Sequence, residues 1–252
     1  MSQFEGKVAF VSGGTSGIGF ATALALAEAG ASVVITGRDA ERGEQALAEI
    51  QTKNANARFV QMDVRDQDSV KAAIQFTVDT FGQLNHVVNS AGFEGTVANT
   101  VECTEENWFA VVDTNVNGTW YILKNAIPEL LKSGGGSIVN VASVIGVIAF
   151  PGLPAYTASK AAMIGLSKTT ALEFATQNIR VNVVAPGSIR TPMYDRFSGG
   201  TPESEAYMAS FHPIGRIGEP PEVSGAVMWL LSDEASFVTG HVMPVAGGWE
   251  VP

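Results

Sequence analysis

Apolar residues fall into two alternating rhythms along this chain. Short, β-branched runs predict strands at Val8–Val11, Ser32–Thr36, Arg58–Met62, His86–Asn89, Ser137–Ala142, Ile179–Ala185 and His241–Val245. Most are nearly continuous in apolar character, as in Val33-Val34-Ile35, which is the pattern of strands covered on both faces in a parallel sheet. Between them the spacing becomes helical. One helix is expected from Gly17 to Ala29, stopped at Gly30. Others begin after Asp39, Asp66 and Thr104, all N-capping residue types. A long one covers Ala155 to Thr176, and another opens at Pro220-Pro221, where proline suits a first turn. This alternation predicts an α/β, Rossmann-type doubly wound fold: a seven-stranded, mostly parallel sheet with helices on both faces and right-handed crossovers. No repeat or linker divides the chain, so residues 1–252 are expected to form a single domain. The stretch 186–218 shows no regular pattern and is expected to be an irregular loop that serves as a substrate lid.

Composition narrows the picture. Of 252 residues, 46% are apolar and 16% charged, which leaves ample material for a core. A net charge of −10 argues against a nucleic-acid surface, which needs a basic face to displace counterions. Any anionic ligand must be held locally, by backbone amides and a few placed cations. Cys103 has no internal disulfide partner, and no Cys/His cluster marks a metal site. Glu102, Glu105 and Glu106 read as a charged helix start favoured by the dipole. Met1 to Lys7 is polar, without the look of a signal peptide. The most apolar stretch, Ile138 to Phe150, is too short for a bilayer. A cytoplasmic protein without membrane or nucleic-acid partners is expected.

Candidate chemistry begins at Ser12-Gly13-Gly14-Thr15-Ser16-Gly17-Ile18-Gly19, between the first strand and first helix. Gly13 can turn tightly, Gly17 can admit a pyrophosphate, and Gly19 lets helix and strand pack closely. Amides at the helix start then face the phosphates. Such a turn is common by itself; strand before and helix after make it a dinucleotide site. At the end of the second strand an acidic residue would bond a ribose 2′-hydroxyl. The chain has Thr36-Gly37-Arg38 there, and a guanidinium suits a 2′-phosphate. NADP(H) is therefore favoured, with NAD(H) the alternative and a solvated loop cation the competing reading of Arg38.

Tyr156 and Lys160 stand at i and i+4 of a predicted helix and so share a face. A free phenol, with a pKa of about 10, is a poor base at neutral pH. The nearby ammonium is expected to lower that value and make Tyr156 a usable acid–base group. Ser143 follows the strand Ser137–Ala142, at the strand end where open α/β sheets bind ligands. Its hydroxyl is placed to hydrogen-bond a substrate oxygen. Each feature alone is a frequent accident.

Taken together they resemble the short-chain dehydrogenase/reductase family over essentially the whole chain. The markers are Ser12–Gly19, Asp63, Asn89-Ser90-Ala91-Gly92, Asn115, Ser143, Tyr156-x3-Lys160, and Pro186-Gly187 through Thr191. The resemblance implies that Tyr156 is the acid–base residue and that Ser143 orients the carbonyl. Lys160 would lower the Tyr156 pKa and bind the nicotinamide ribose, and Asn115 would hold a water in a proton relay. Gly13, Thr15, Ser16, Gly17, Ile18 and Gly19 would hold the phosphates, and Arg38 the 2′-phosphate. Asp63 and Val64 would contact adenine, while Asn89, Ala91 and Gly92 would line the cofactor. Pro186, Gly187, Ile189 and Thr191 would surround the nicotinamide, Ile189 and Thr191 fixing its carboxamide. Three positions depart from the family pattern: Ser12 replaces threonine, Ser90 replaces asparagine, and Ser16 stands where many NADP(H) enzymes carry a cation.

The implied activity is hydride transfer between a nicotinamide cofactor and a carbonyl or secondary alcohol. Alternatives on the same scaffold are a 3-oxoacyl thioester reductase and a sugar dehydrogenase. A non-catalytic, cofactor-binding regulator is a further class, disfavoured by the presence of Ser143, Tyr156 and Lys160. Phe197, Tyr207, Met208 and Phe211 suggest an apolar lid for a small ketone. His86, His212 and His241 read as packing or surface residues. Trp108, Trp120, Trp229 and Trp249 read as core or interface residues. A homotetramer, or a homodimer, is the expectation carried over from the family.

Overall fold

A computed structural model describes residues 3–251. Its strands are β1 (Val8–Ser12), β2 (Ser32–Gly37), β3 (Ala57–Gln61), β4 (His86–Asn89), β5 (Gly136–Val141), β6 (Ile179–Pro186) and β7 (Val242–Val245). They form one sheet in the order β3-β2-β1-β4-β5-β6-β7. Every pairing is parallel, so the sheet is wholly rather than mostly parallel.

Side-chain alternation divides each strand between two cores. Ala9, Val11, Val33, Ile35, Val139 and Val141 pack with α1 (Gly17–Glu28), α2 (Ala40–Gln51) and, later in the chain, the helix Pro220–Leu231. Phe10, Val34 and Ile138 point the other way. They meet α3 (Gln67–Phe81) and the helices that follow β4 and β5. Asp39 and Asp66 cap α2 and α3, accepting from Arg42 N at 3.0 Å and Asp68 N at 2.9 Å.

The helical pattern after Thr104 is not one regular helix. Thr104 caps α4 (Glu105–Val112), and a wide π turn at Asp113–Asn117 leads into α5 (Gly118–Lys132). Such turns insert an extra residue into the ladder and are often found at functional sites. The long helix α6 spans Pro154–Phe174.

The segment expected to be irregular holds two short helices, α7 (Pro192–Ser198) and α8 (Pro202–Ala209). Each starts with a Thr-Pro pair, Thr191-Pro192 and Thr201-Pro202, in which threonine caps and proline begins the first turn. Helices of two turns are too short to show a periodicity, so only these caps announce them. Gly199 and Gly200 join the two in left-handed conformations (φ 77° and 66°). The segment's ends are pinned together: Arg190 N donates to Gly218 O at 2.9 Å and Gly218 N to Ser188 O at 2.8 Å. The last helix is α9 (Pro220–Leu231).

Strand order reverses between β1 and β4, because the chain winds outward to β3 and then crosses back. A crevice opens beyond the carboxyl ends of the strands on either side of such a reversal.

Candidate active site

A cleft of about 860 Å³ lies there. Toward β2 it is lined by Gly13, Thr15, Ser16, Gly17, Ile18, Arg38, Asp63 and Val64. Gly13 is left-handed (φ 65°), and a Cβ on it would stand 2.7 Å from the Ala91 amide nitrogen. Glycine is thus required where the turn meets the β4 connection. Gly17 is left-handed too, and a Cβ there would meet Thr191 across the cleft at 3.1 Å. Ser16 precedes α1 without capping it through its side chain, so the first-turn amides keep their capacity for an anion. Thr36 Oγ1, fully buried on the cleft wall, has no hydrogen-bond partner among the described residues. A glycine cradle, an uncapped helix start and an orphaned hydroxyl fit a dinucleotide.

Toward β5 and β6 the cleft is lined by Ser143, Tyr156, Lys160, Pro186, Gly187, Ile189 and Thr191, with Ala91 and Gly92 between the two ends. Helix α6 carries Tyr156 and Lys160 on the face turned to β5. Lys160 Nζ donates to Val141 O at 2.9 Å and stands 5.6 Å from the centroid of the Tyr156 ring. Burial lowers Lys160 to about 8. Burial also pushes Tyr156 up to about 12; a hydrogen bond with Ser143 opposes the rise, and the charge of Glu94 adds to it. The lowering expected from Lys160 does not set the direction: removal of the phenol from water is the largest effect on Tyr156. Ser143 Oγ also accepts from Ile145 N at 3.2 Å, which fixes the turn after β5.

With this geometry described, the likeness to known proteins has a clear content. The family model described as enoyl-(acyl carrier protein) reductase matches residues 13–250. The chain is 41% identical over 248 residues to cyclohexanol dehydrogenase of Acinetobacter sp., covering 98% of this chain and 96% of that one. It is 39% identical over 247 residues to a 3-oxoacyl-[acyl-carrier-protein] reductase of Thermotoga maritima, covering 98% of both. A solved short-chain type dehydrogenase/reductase from Mycobacterium ulcerans superposes with a TM-score of 0.94 at 36% identity, covering 99% of this chain and 91% of that one. This chain belongs to the short-chain dehydrogenase/reductase family.

The protein is thus a nicotinamide-dependent oxidoreductase of the alcohol–carbonyl type acting on small molecules. Among the described residues no helix is long and apolar enough to cross a membrane.

Three sequence-derived site residues of this dehydrogenase/reductase do not line the cleft. Gly19 packs α1 against the turn, where any Cβ would run into the Gly13 carbonyl oxygen. Asn89, 1% exposed, turns into the protein: its Oδ1 accepts from Ser12 Oγ at 2.8 Å, and its Nδ2 donates to Thr119 Oγ1 and Asn140 Oδ1. Its side chain ties the ends of β1, β4 and β5 together. Asn115, in the π turn, accepts from Phe93 N at 2.9 Å and donates to Phe93 O and Ser159 Oγ, both at 2.9 Å. Both of its side-chain N–H donors are occupied, and the side chain fixes the residue after Gly92. Ser159 in turn donates to Tyr156 O at 2.8 Å, joining the π turn to α6.

Other residues of the cleft were missed in the sequence. Arg42 on α2 lines it beside Arg38 and Asp39; its place in the first turn after the Asp39 cap was the available signal. Trp249 lines it as well, stacked on Phe211 at 5.1 Å, a cleft-wall role beyond the expected core or interface one. Trp108, Trp120 and Trp229 remain partly exposed, at 39%, 46% and 37%. His212 is buried, accepting from Ser188 N at 3.0 Å through Nε2 and contacting Met208 O at 2.9 Å through Nδ1, so it packs the lid against β6. Glu94 and Arg196 face each other across the substrate end, a pairing without any local sequence signal.

Proposed function

We propose that this protein is an NADP(H)-preferring reductase/dehydrogenase of small alicyclic ketones and secondary alcohols, with Ser143, Tyr156 and Lys160 as its catalytic residues. The observation that carries this reading is the convergence of the three side chains at one end of a cleft whose other end is the glycine turn. Bound NADP(H) supplies or accepts the hydride. In reduction Tyr156 gives its proton to the carbonyl oxygen, and Ser143 holds that oxygen by a hydrogen bond. Lys160, held by Val141 O, keeps further N–H donors for the cofactor ribose. Ala91, Gly92, Ile189 and Thr191 shape the nicotinamide end, Asp63 and Val64 the adenine end, and Arg38 and Arg42 provide cations for a 2′-phosphate.

The apolar walls formed by Ile145, Leu153, Phe197 and Trp249 suit a hydrocarbon ring, in keeping with the likeness to cyclohexanol dehydrogenase. A 3-oxoacyl thioester is the second reading, favoured by the Thermotoga relative. Against it, the lid cations Arg190 and Arg196 are already paired with Glu205, Glu219 and Glu94. That leaves little positive surface for an acidic carrier.

The test is a substrate panel, cyclohexanone against a 3-oxoacyl thioester, with both dinucleotides and with Tyr156→Phe. Cyclohexanone is expected to turn over faster, and Tyr156→Phe to lose roughly 10²–10⁴-fold in kcat with dinucleotide affinity retained. Retained turnover in Tyr156→Phe refutes the catalytic assignment; preference for the thioester refutes the substrate class.

A further inference from the structure

We propose that Trp249 sets the upper size limit of the substrate: its indole is a fixed stop that admits a single small ring and refuses fused rings and large rings. The proposal rests on the reading of this protein as a reductase of small ketones and deepens it at one wall of the same cleft.

Trp249 follows β7 and lines the cleft together with Leu153, Tyr156 and Phe197. Three other rings pack against its indole. Phe211 is stacked on it with centroids 5.1 Å apart, Phe150 meets it edge to face at 5.8 Å, and His212 lies tilted at 5.0 Å. None of these three lines the cleft. The indole therefore stands between the substrate space and an aromatic cluster behind it.

The rings come from separate parts of the chain: Phe150 from the β5–α6 connection, Phe211 and His212 from the lid after α8, and Trp249 from beyond β7. Trp249 and Phe197 also pack against two apolar clusters at once. One holds Val144, Leu153 and Tyr156; the other holds Tyr194, Met208 and Ile217 of the lid. The indole thus bridges the body of the site and its cover. Its backbone is tied to the lid as well, since Ile214 N donates to Gly247 O at 3.2 Å. A Cβ on Gly247, which is left-handed (φ 57°), would stand 2.6 Å from Ile214 Cγ2. Moving the indole aside would break all three ring contacts and this seam, so the wall is rigid rather than yielding. A ketone whose oxygen is held at Ser143 and Tyr156 must fit the rest of its carbon skeleton in front of that wall. A second ring would have to occupy the place of the indole.

The experiment measures kcat/KM for cyclohexanone, the bicyclic decalone and the large-ring cyclododecanone at saturating reduced dinucleotide, for wild type, Trp249→Phe, Trp249→Leu and Trp249→Ala. Wild type should prefer cyclohexanone. Trp249→Ala should raise the ratio of decalone to cyclohexanone by at least ~10-fold, the worth of a small volume change in an apolar pocket. Trp249→Leu should move the ratio the same way by less, and Trp249→Phe should stay near wild type. A merely structural role would lower all three ketones together and leave the ratio fixed. Thermal melting and dinucleotide affinity identify the folded variants; where Trp249→Ala fails to fold, Trp249→Leu decides. An unmoved ratio, or a wild type that already reduces decalone as well as cyclohexanone, overturns the proposal. A wild type that prefers a 3-oxoacyl thioester to cyclohexanone would instead overturn the reading of the substrate class, so the two failures are distinct.

Discussion

At the scale of single residues, the site sets hydration against charge. Tyr156 and Lys160 are both buried, and burial drives each toward its neutral form: the phenol up to about 12, the ammonium down to about 8. The i,i+4 spacing shows that the two share a face but says nothing about water, whose removal is the largest effect on Tyr156. The proposed preference for NADP(H) rests on residues of the opposite kind, the exposed cations Arg38 and Arg42. Gly37 itself is a poor place to test that choice, because a Cβ there would stand 2.7 Å from Thr15 Cγ2. Arg38→Leu should raise the KM for NADP+ by roughly 10- to 100-fold, the worth of one charge-assisted contact, and leave the KM for NAD+ nearly unchanged. Arg42→Leu should act in the same direction. Steady-state kinetics with both dinucleotides checks this, and equal effects on the two would remove the 2′-phosphate role.

At the scale of elements, the π turn between α4 and α5 carries Asn115, its buried residue. Its amide satisfies both backbone groups of Phe93 and reaches Ser159 on α6, so one side chain fastens the β4 connection to the helix bearing Tyr156. Asn115→Leu would leave those backbone groups unpaired, at a cost of about 2 kcal/mol. A lower urea midpoint and a raised KM for the dinucleotide are expected. Unchanged stability with lost turnover would make Asn115 a relay residue instead. Strands and capped helices were legible because apolar rhythm and cap chemistry are local. All seven strands lie within a residue or two of their expected places. The π turn was not legible, because Asp113–Asn117 continues an ordinary helical pattern and the extra residue is stabilised by tertiary partners. Helices α7 and α8 were too short to show a period. Glu94 and Arg196 lie 102 positions apart, and nothing in either neighbourhood points to the other.

At the scale of the molecule, the core contains one imidazole that cannot be charged without cost. His86 is 8% exposed, hydrogen-bonds Ser137 Oγ at 2.9 Å, and meets Phe4 edge to face. Ser137 Oγ donates to Leu231 O, so the imidazole Nδ1–H is the donor to Ser137. Burial lowers His86 to about 3, against an ordinary value of 6.5. Between those two pH values the unfolded chain binds a proton that the folded one refuses. Unfolding free energy should therefore fall as the pH drops below 6.5, by up to ~1.4 kcal/mol per pH unit, until the folded state also protonates near 3. His86→Leu should flatten that acid limb by one proton, which denaturant titrations at several pH values would measure. A limb of undiminished slope would assign the acid sensitivity to carboxylates instead.

Ile189 and Gly218 form a parallel bridge, and two backbone hydrogen bonds clamp Arg190 and Ser188 to Gly218. The two ends of the lid meet at that clamp, beyond the last residue of β6. The entropic cost of closing such a loop grows only with the logarithm of its length. Residues can therefore be added to or removed from the lid without disturbing strand register, and the substrate-facing wall can diversify while Ser143, Tyr156 and Lys160 stay in place. Exchange of this one segment should therefore alter the substrate-facing wall while leaving the sheet as it is.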